Sequence, residues 1–198
     1  LPSVLIALLG IFFFFFFTLL WYDKKRAIAA SIIIASTQAM FQMTNDIRTD
    51  TLLTSFVIFT VWQISAYLQN GKISHLIFGS IGIGFAMLAK GPIGLIAPAI
   101  AIFFDIVAKR KWKHIFKPQW LLLILIVGII LAPMCYGLYT QFDMHPEKTA
   151  YGLDGPSGIK FFFWTQSFGR ITGDIYWDNN TPFSFFMTSI LWDFQPWI

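Results

Sequence analysis

Five polar residues set in or beside long apolar runs are the ones best suited to chemistry: Arg48, Asp50, Lys90, Gln166 and Arg170. Lys90 lies in Ala89-Lys90-Gly91-Pro92, between apolar runs at 76–88 and 93–107. A lysine flanked so closely by membrane-type sequence costs about 2.5 to 3.5 kcal/mol at mid-bilayer and less near an interface. Pro92 suits the first turn of a helix, where its missing N–H costs no hydrogen bond, and Gly91 lets the backbone turn tightly before it. The pattern predicts one helix ending at Lys90 and the next starting at Pro92. Lys90 is then held at a membrane surface, close to a helix N-terminus whose partial positive charge adds to its own. Together they would attract an anion, and a lipid phosphate is the anion most available at that depth.

Asp46-Ile47-Arg48-Thr49-Asp50 puts two acids and an arginine within five residues. Arg48 and Asp50 serve either as an interfacial ion pair or helix cap beside Thr51, or as a functional pair. In the second reading Arg48 orients an anionic ligand or clamps an acid, and Asp50 positions Arg48 or another cation. Gln166 and Arg170 are spaced i, i+4 on a predicted interfacial helix at 159–171, where Phe161, Phe162, Phe163, Trp164 and Phe168 lie in the headgroup region. Arg170 there either snorkels to lipid phosphates or binds one specific lipid phosphate beside Lys90. Asn179-Asn180-Thr181 matches a glycosylation triplet, weakened by Pro182 after it.

The elements that must position these residues follow from composition. Hydrophobic residues make up 57% of the 198, charged residues 12%, and mean hydropathy is +0.67, far from a soluble domain with about 25% charged residues. The class is an all-α membrane protein, a polytopic helix bundle with an interfacial helix on its outer face. Apolar runs predict spans at 1–21, 27–43, 51–68, 73–89, 92–108 and 119–139, and a seventh begins after Pro182. The division expected is six transmembrane helices with short loops at 1–139, an extracytoplasmic loop with the interfacial helix at 140–182, and the start of a seventh span at 183–198. Gly79, Gly82 and Gly84 weaken the fourth span as a helix but would let a neighbour approach closely. Pro133 predicts a kink in the sixth.

Nine of the 14 basic residues fall in the loops after the first, third and fifth spans, and five on the other side. The first side is therefore expected to be cytoplasmic. Arg48, Asp50, Lys90 and the segment up to Arg170 then share the outer face, although they were singled out by residue type alone. The net charge of +4 is spread over these loops rather than gathered in one patch, so a nucleic-acid partner is not expected. Cys135 is the single cysteine and excludes an internal disulfide. His75, His114 and His145 are scattered over both faces, and no metal site is readable. Because the chain opens on Leu1 in a span and stops at Pro196-Trp197-Ile198, it reads as an internal piece of a longer protein.

Four ordered blocks carry a family resemblance: Arg48-Thr49-Asp50 with Leu52-Leu53 opening a span; Leu88-Ala89-Lys90-Gly91-Pro92 with Pro98 after it; Phe161-Phe162-Phe163-Trp164-Thr165-Gln166-Ser167-Phe168-Gly169-Arg170; and Pro182-Phe183 with a closing Pro196-Trp197. They resemble the multi-span GT-C glycosyltransferases, in particular the bacterial lipid A aminoarabinose transferases and the dolichyl-phosphate-mannose protein mannosyltransferases. The resemblance implies transfer of a sugar from a polyprenyl-phosphate carrier to a lipid or protein acceptor, at the periplasmic side of a bacterial inner membrane. It also implies that Lys90 and Arg170 hold the carrier phosphate, and that Arg48, Asp50 and Gln166 shape the same cavity. The family's catalytic acid sits in a large outer loop between the first two spans, which places it upstream of Leu1 in this chain. No cofactor is implied within the piece; a divalent metal on that acid is left open by the family. Gln166 and Ser167 stand where aminoarabinose transferases have an acid and a histidine. The competing reading is a transporter or lipid flippase, which predicts ionisable residues at mid-span depth; only Asp105 comes near.

Overall fold

The computed structural model describes residues 2–45, 49–110, 112, 117–150, 153–169 and 183–198. Its helices in chain order are α1 (Pro2–Leu19), α2 (Lys24–Ala35), α3 (Gln38–Asn45), α4 (Asp50–Asn70), α5 (Ile73–Lys90), α6 (Ile93–Ala108) and α7 (Gln119–Leu138). A π-helical turn, Tyr139–Asp143, extends α7. After it come a two-residue antiparallel ladder, β1 (Thr149–Ala150) with β2 (Leu153–Asp154), then the single turn α8 (Gly158–Lys160) running into a second π-helical turn, Phe161–Thr165. The last helix is α9 (Phe183–Asp193). The chain is an all-α membrane protein. Helices α1, α4, α5 and α7 are long and apolar enough to cross a bilayer, and α2 with α3 makes a fifth crossing if the bent pair counts as one. At 16 residues, α6 reaches about 24 Å against a hydrocarbon core of about 30 Å.

Helices α4 and α5 form the middle of the bundle. Half of α4's apolar stretch is buried, against 17% for both α1 and α7, whose outer faces carry Leu5, Phe12, Leu121 and Ile129 to the lipid. Between lipid-solvated helices the hydrophobic effect supplies little attraction, so close packing and polar contacts must hold them. Gly79 and Gly82 meet that need on α5: a Cβ on Gly82 would lie 2.5 Å from Thr60 Oγ1, and one on Gly79 2.5 Å from Ile64 Cδ1. Gly84 gives the same access to Ile130 of α7. The Ser55 hydroxyl donates to the Ile6 carbonyl at 2.9 Å, tying α4 to α1. Phe13 and Phe16 of α1 pack on Phe59 and Trp62 of α4, with centroids 4.6 and 5.3 Å apart for Phe13–Phe59 and Phe16–Trp62. Helix α7 continues through Pro133.

The second predicted span, 27–43, is not one helix. It breaks at Ser36-Thr37 with a bend of 57°. Two hydroxyls in sequence explain the break, because Ser36 Oγ takes the Ile32 carbonyl at 2.8 Å and Thr37 Oγ1 the Ile34 carbonyl at 2.8 Å. They share these carbonyls at the end of α2 with the Ser36 and Thr37 N–H groups, which donate to the same oxygens at 3.1 and 3.3 Å. On the far side of the break, Met40 N–H donates to Thr37 Oγ1 at 3.4 Å, and Gln38 N–H donates to the Gln195 carbonyl at 3.0 Å. Backbone groups at membrane depth are thereby satisfied without a continuous helix. The helix predicted at 159–171 is also different: 158–168 is one α-turn, a π-turn and a hydrogen-bonded turn, and residues 170 and 171 lie outside the described residues.

Candidate functional site

At one end of the bundle α4 begins and α5 ends. Asp50 is the first residue of α4 and Lys90 the last of α5, so each sits at the helix end whose partial charge favours it. Their side chains form an ion pair, Lys90 Nζ donating to Asp50 Oδ1, with 41% and 29% of the side chains exposed. The favourable helix end for Lys90 is thus the C-terminus of its own helix, beside the start of α6. Partner choice is the new fact: Asp50 is 40 residues from Lys90 in the chain, and its aspartate secures this cation. Among the described residues one N–H of the ammonium is used, out of the three it can donate.

Gly91 has φ +69° and ψ −148°, a conformation essentially confined to glycine. A side chain there would also be tight, since a Cβ would lie 3.2 Å from the Phe162 carbonyl oxygen and 3.4 Å from Ser167 Oγ. The 158–169 segment therefore rests directly on the Lys90-Gly91-Pro92 joint. That segment is anchored from behind by Gly158, whose N–H donates to Asp143 Oδ2 at 3.0 Å and whose Cα faces the Leu138 carbonyl at the end of α7. The α3 end joins the same face: buried Thr51 donates to the Met43 carbonyl at 2.7 Å.

Two cavities open here. One of about 470 Å³ is lined by Ala39, Phe41, Gln42, Met43, Asn45, Asp50 and Asp193, the polar chamber beside the ion pair. The other, about 220 Å³ and largely apolar, is lined by Leu138, Phe142, Pro156, Gly158, Phe161, Phe162 and Gln166. Gln166 is exposed and belongs to this second cavity rather than to the chamber at Asp50; Phe162, which touches Gly91, lines the same cavity as Gln166. Arg48 and Arg170 lie outside the described residues, as do Asn179-Asn180-Thr181. Asp193 is the residue that sequence reasoning missed. Its neighbours read as plain apolar helix, and only the docking of that helix on α3 brings the carboxylate to the chamber.

The opposite end of the bundle carries the basic loops, and two of its lysines have partners among the described residues. Lys109 pairs with Asp105 at 2.5 Å and sits 3.4 Å from the centroid of the Trp21 ring. Lys117 lies 5.4 Å from the Tyr67 ring, and Tyr67 donates to Gln119. Asp105, the one ionisable candidate for mid-span depth, is thus a paired residue one turn from the end of α6. Among the described residues no three His, Cys, Asp or Glu side chains gather to hold a metal.

Comparison with known proteins adds the last observation. The sequence model of the dolichyl-phosphate-mannose-protein mannosyltransferase family matches residues 1–136, which include Asp50 and Lys90. The chain is also similar to the undecaprenyl phosphate-alpha-4-amino-4-deoxy-L-arabinose arabinosyl transferase of Edwardsiella ictaluri (strain 93-146), with 23% identity over 153 residues. That match covers 71% of this chain and 25% of the relative, so the chain spans about a quarter of that protein's length. No solved structure matches the chain significantly.

Proposed function

Because the chain belongs to the dolichyl-phosphate-mannose-protein mannosyltransferase family, we propose that it forms part of a membrane glycosyltransferase moving a sugar from a polyprenyl-phosphate carrier to a lipid or protein acceptor. The observation that carries this reading is the Lys90 joint: a cation fixed by Asp50, with no second partner among the described residues, beside a polar chamber. When the sugar leaves, negative charge grows on the carrier phosphate. A cation already aimed at it gains more in the transition state than in the ground state, and that difference accelerates the reaction. Asp50 holds the ammonium in place beforehand, so less reorganisation remains for the reacting complex. Arg170 is the proposed second cation on the phosphate, and Arg48 a further member of the cavity.

The bias of basic residues toward the other end supports an extracytoplasmic Lys90 face, periplasmic if the membrane is a bacterial inner membrane. The relative's name supports an undecaprenyl carrier and an amino sugar as the first substrates to try. The residue that orients or deprotonates the acceptor is proposed to lie in a part of the longer protein outside this sequence.

The test is transfer of labelled sugar from polyprenyl phosphate by the full-length parent protein, with Lys90→Ala compared at equal membrane expression. Losing one cation from a desolvated phosphate costs about 2 to 4 kcal/mol, or roughly 30-fold to nearly a thousandfold in rate. An unchanged rate in Lys90→Ala would make Lys90 an interfacial anchor. A wild type inactive with every carrier would remove the transferase reading itself.

A further inference from the structure

Helices α6 and α7 each pack on α5 but scarcely on each other. Between them opens a cleft of about 260 Å³, lined by apolar and aromatic side chains that include Ile83 of α5, Leu95, Ala99 and Ile106 of α6, and Trp120 and Leu123 of α7. From Leu95 to Ile106 it runs about 16 Å along the helix, the depth of one leaflet of a core about 30 Å thick. A hydrocarbon chain laid in it regains the dispersion contacts that an empty cleft forfeits.

The end of the cleft toward the basic loops is polar. Arg110 comes one turn after Ile106, and the Trp120 N–H donates to the Lys117 carbonyl at 3.2 Å. The Tyr67 ring, 6.2 Å from that of Trp120, has the Lys117 ammonium 5.4 Å from its centroid. Exposed Trp21, Tyr22 and Trp112 place this end at headgroup depth. The loops after α1 and α6, far apart in the chain, meet where Lys109 covers the Trp21 ring.

The charge at this end is strongly one-sided. Segments 20–26 and 105–119 together contain eight Lys and Arg against two acids, Asp23 and Asp105, and such a cluster beside a membrane attracts anionic headgroups. Each acid already has a cation, Arg26 for Asp23 at 3.3 Å and Lys109 for Asp105. Residues 111 and 113–116, outside the described residues, include two of these lysines and no acid. Arg110 itself has φ +53°, a left-handed position after a helix that glycine ordinarily fills, so a cation stands there against the backbone's preference.

We propose that the α6–α7 cleft is a binding site for an anionic phospholipid, one chain lying along α6 and the phosphate held at the mouth by Arg110 and Lys117. The site is at the opposite end of the bundle from Lys90 and stands apart from the transferase reading. The shortness of α6, about 24 Å, favours it, because a span shorter than the core draws its terminal cations inward and the bilayer thins to meet them. A zwitterionic lipid fills the cleft as well but offsets its phosphate with its own ammonium. A free phosphate lacks the chain.

The test is native mass spectrometry of the full-length protein released from nanodiscs made of equal parts phosphatidylglycerol and phosphatidylcholine with the same chains. Wild type is expected to retain phosphatidylglycerol about tenfold or more over phosphatidylcholine. Arg110→Gly combined with Lys117→Gln should lose that preference, and because the glycine relieves the left-handed strain, a weakened end of α6 cannot be the cause. Lys24→Gln with Lys25→Gln removes as much charge from the start of α2, which packs on α1 and α3, and should keep the preference. Equal loss in the two double variants assigns the effect to diffuse charge and overturns the site. So does a wild type without preference, or a preference that survives in the Arg110 and Lys117 variant. Ala99→Phe, which fills the cleft, should lower retention of both lipids. Unchanged retention in that variant, or displacement of the lipid by soluble glycerol phosphate, would show that no chain lies in the cleft and would also overturn the proposal.

Discussion

Gly91→Ala isolates the geometry of the joint from its charge. At φ +69°, ψ −148° an L-residue is strained by about 1 to 3 kcal/mol. Its new methyl carbon would lie 3.2 Å from the Phe162 carbonyl and 3.4 Å from Ser167 Oγ, so the 158–169 segment must yield by a few tenths of an ångström or the joint must rotate. Either movement displaces Lys90 from whatever lies beneath that segment, and misplacement of a positioned group by about 1 Å costs on the order of a hundredfold in rate. Gly71 is a matched control. It shares φ +69° but at ψ 5°, it caps α4 at the other end of the bundle, and a Cβ there meets nothing within 4 Å. Gly71→Ala bears only the left-handed penalty of about 1 to 2 kcal/mol. The assay pairs thermal unfolding of the full-length protein with sugar transfer at a temperature where both variants remain folded. Gly91→Ala should lose about a hundredfold in transfer while its melting point falls no more than a few degrees beyond that of Gly71→Ala. Equal losses of activity in the two variants would refute the reasoning, since strain alone would then account for both.

The Asp50–Lys90 pair should separate stability from activity. With side chains a third or so exposed it is expected to contribute no more than about 1 kcal/mol to folding. A double-mutant cycle of Asp50→Asn and Lys90→Ala read by unfolding should give a coupling of that size, and a coupling above about 3 kcal/mol would mean the pair is a structural anchor. In the exposed turn after α7, the carboxyl of Glu147 is held below its ordinary value of 4.5 by its own backbone N–H and then by His145. A depressed carboxylate pKa adds stability above 4.5 that is lost as pH falls through the folded-state value. Hydrogen exchange in 144–149 should therefore accelerate below about pH 4.5 in wild type, and a Glu147→Gln protein showing the same acceleration would exclude this carboxylate as its source.

Much of the bundle was legible because a bilayer imposes a simple rule on helix length. Asn70-Gly71 ended α4, Lys90-Gly91-Pro92 separated α5 from α6, and Gly79, Gly82 and Gly84 marked close approaches that the packing of Ile64, Thr60 and Ile130 bears out. The break at Ser36-Thr37 was hidden because neither residue is a glycine or proline, and hydroxyls that bond back to the preceding turn also occur within continuous helices. Topology placed Asp50 and Lys90 on one face, but pairing across 40 residues depends on α4 and α5 packing with their ends level. Asp193 was illegible for a related reason. A lone acid after an apolar run looks like the end of a span, and its meaning comes from the neighbour it docks on.

That docking also bears on how the chain assembles. Helices α2 and α3, about 18 and 12 Å long, enter the membrane early in synthesis, whereas the groups that seal their junction come from Gln195 and from Trp197, which is 161 positions after Ser36. Until that segment is made, the Gln38 N–H must keep water or another transient donor-acceptor partner at a depth where unsatisfied amides are costly. The junction of the broken span is accordingly sealed only once 195–197 has been made, and Asp193 joins the lining of the polar chamber with the same segment. Pulse-labelled hydrogen exchange at Gln38 reads that step: protection arising before 190–198 is synthesised would mean that the junction seals by other means.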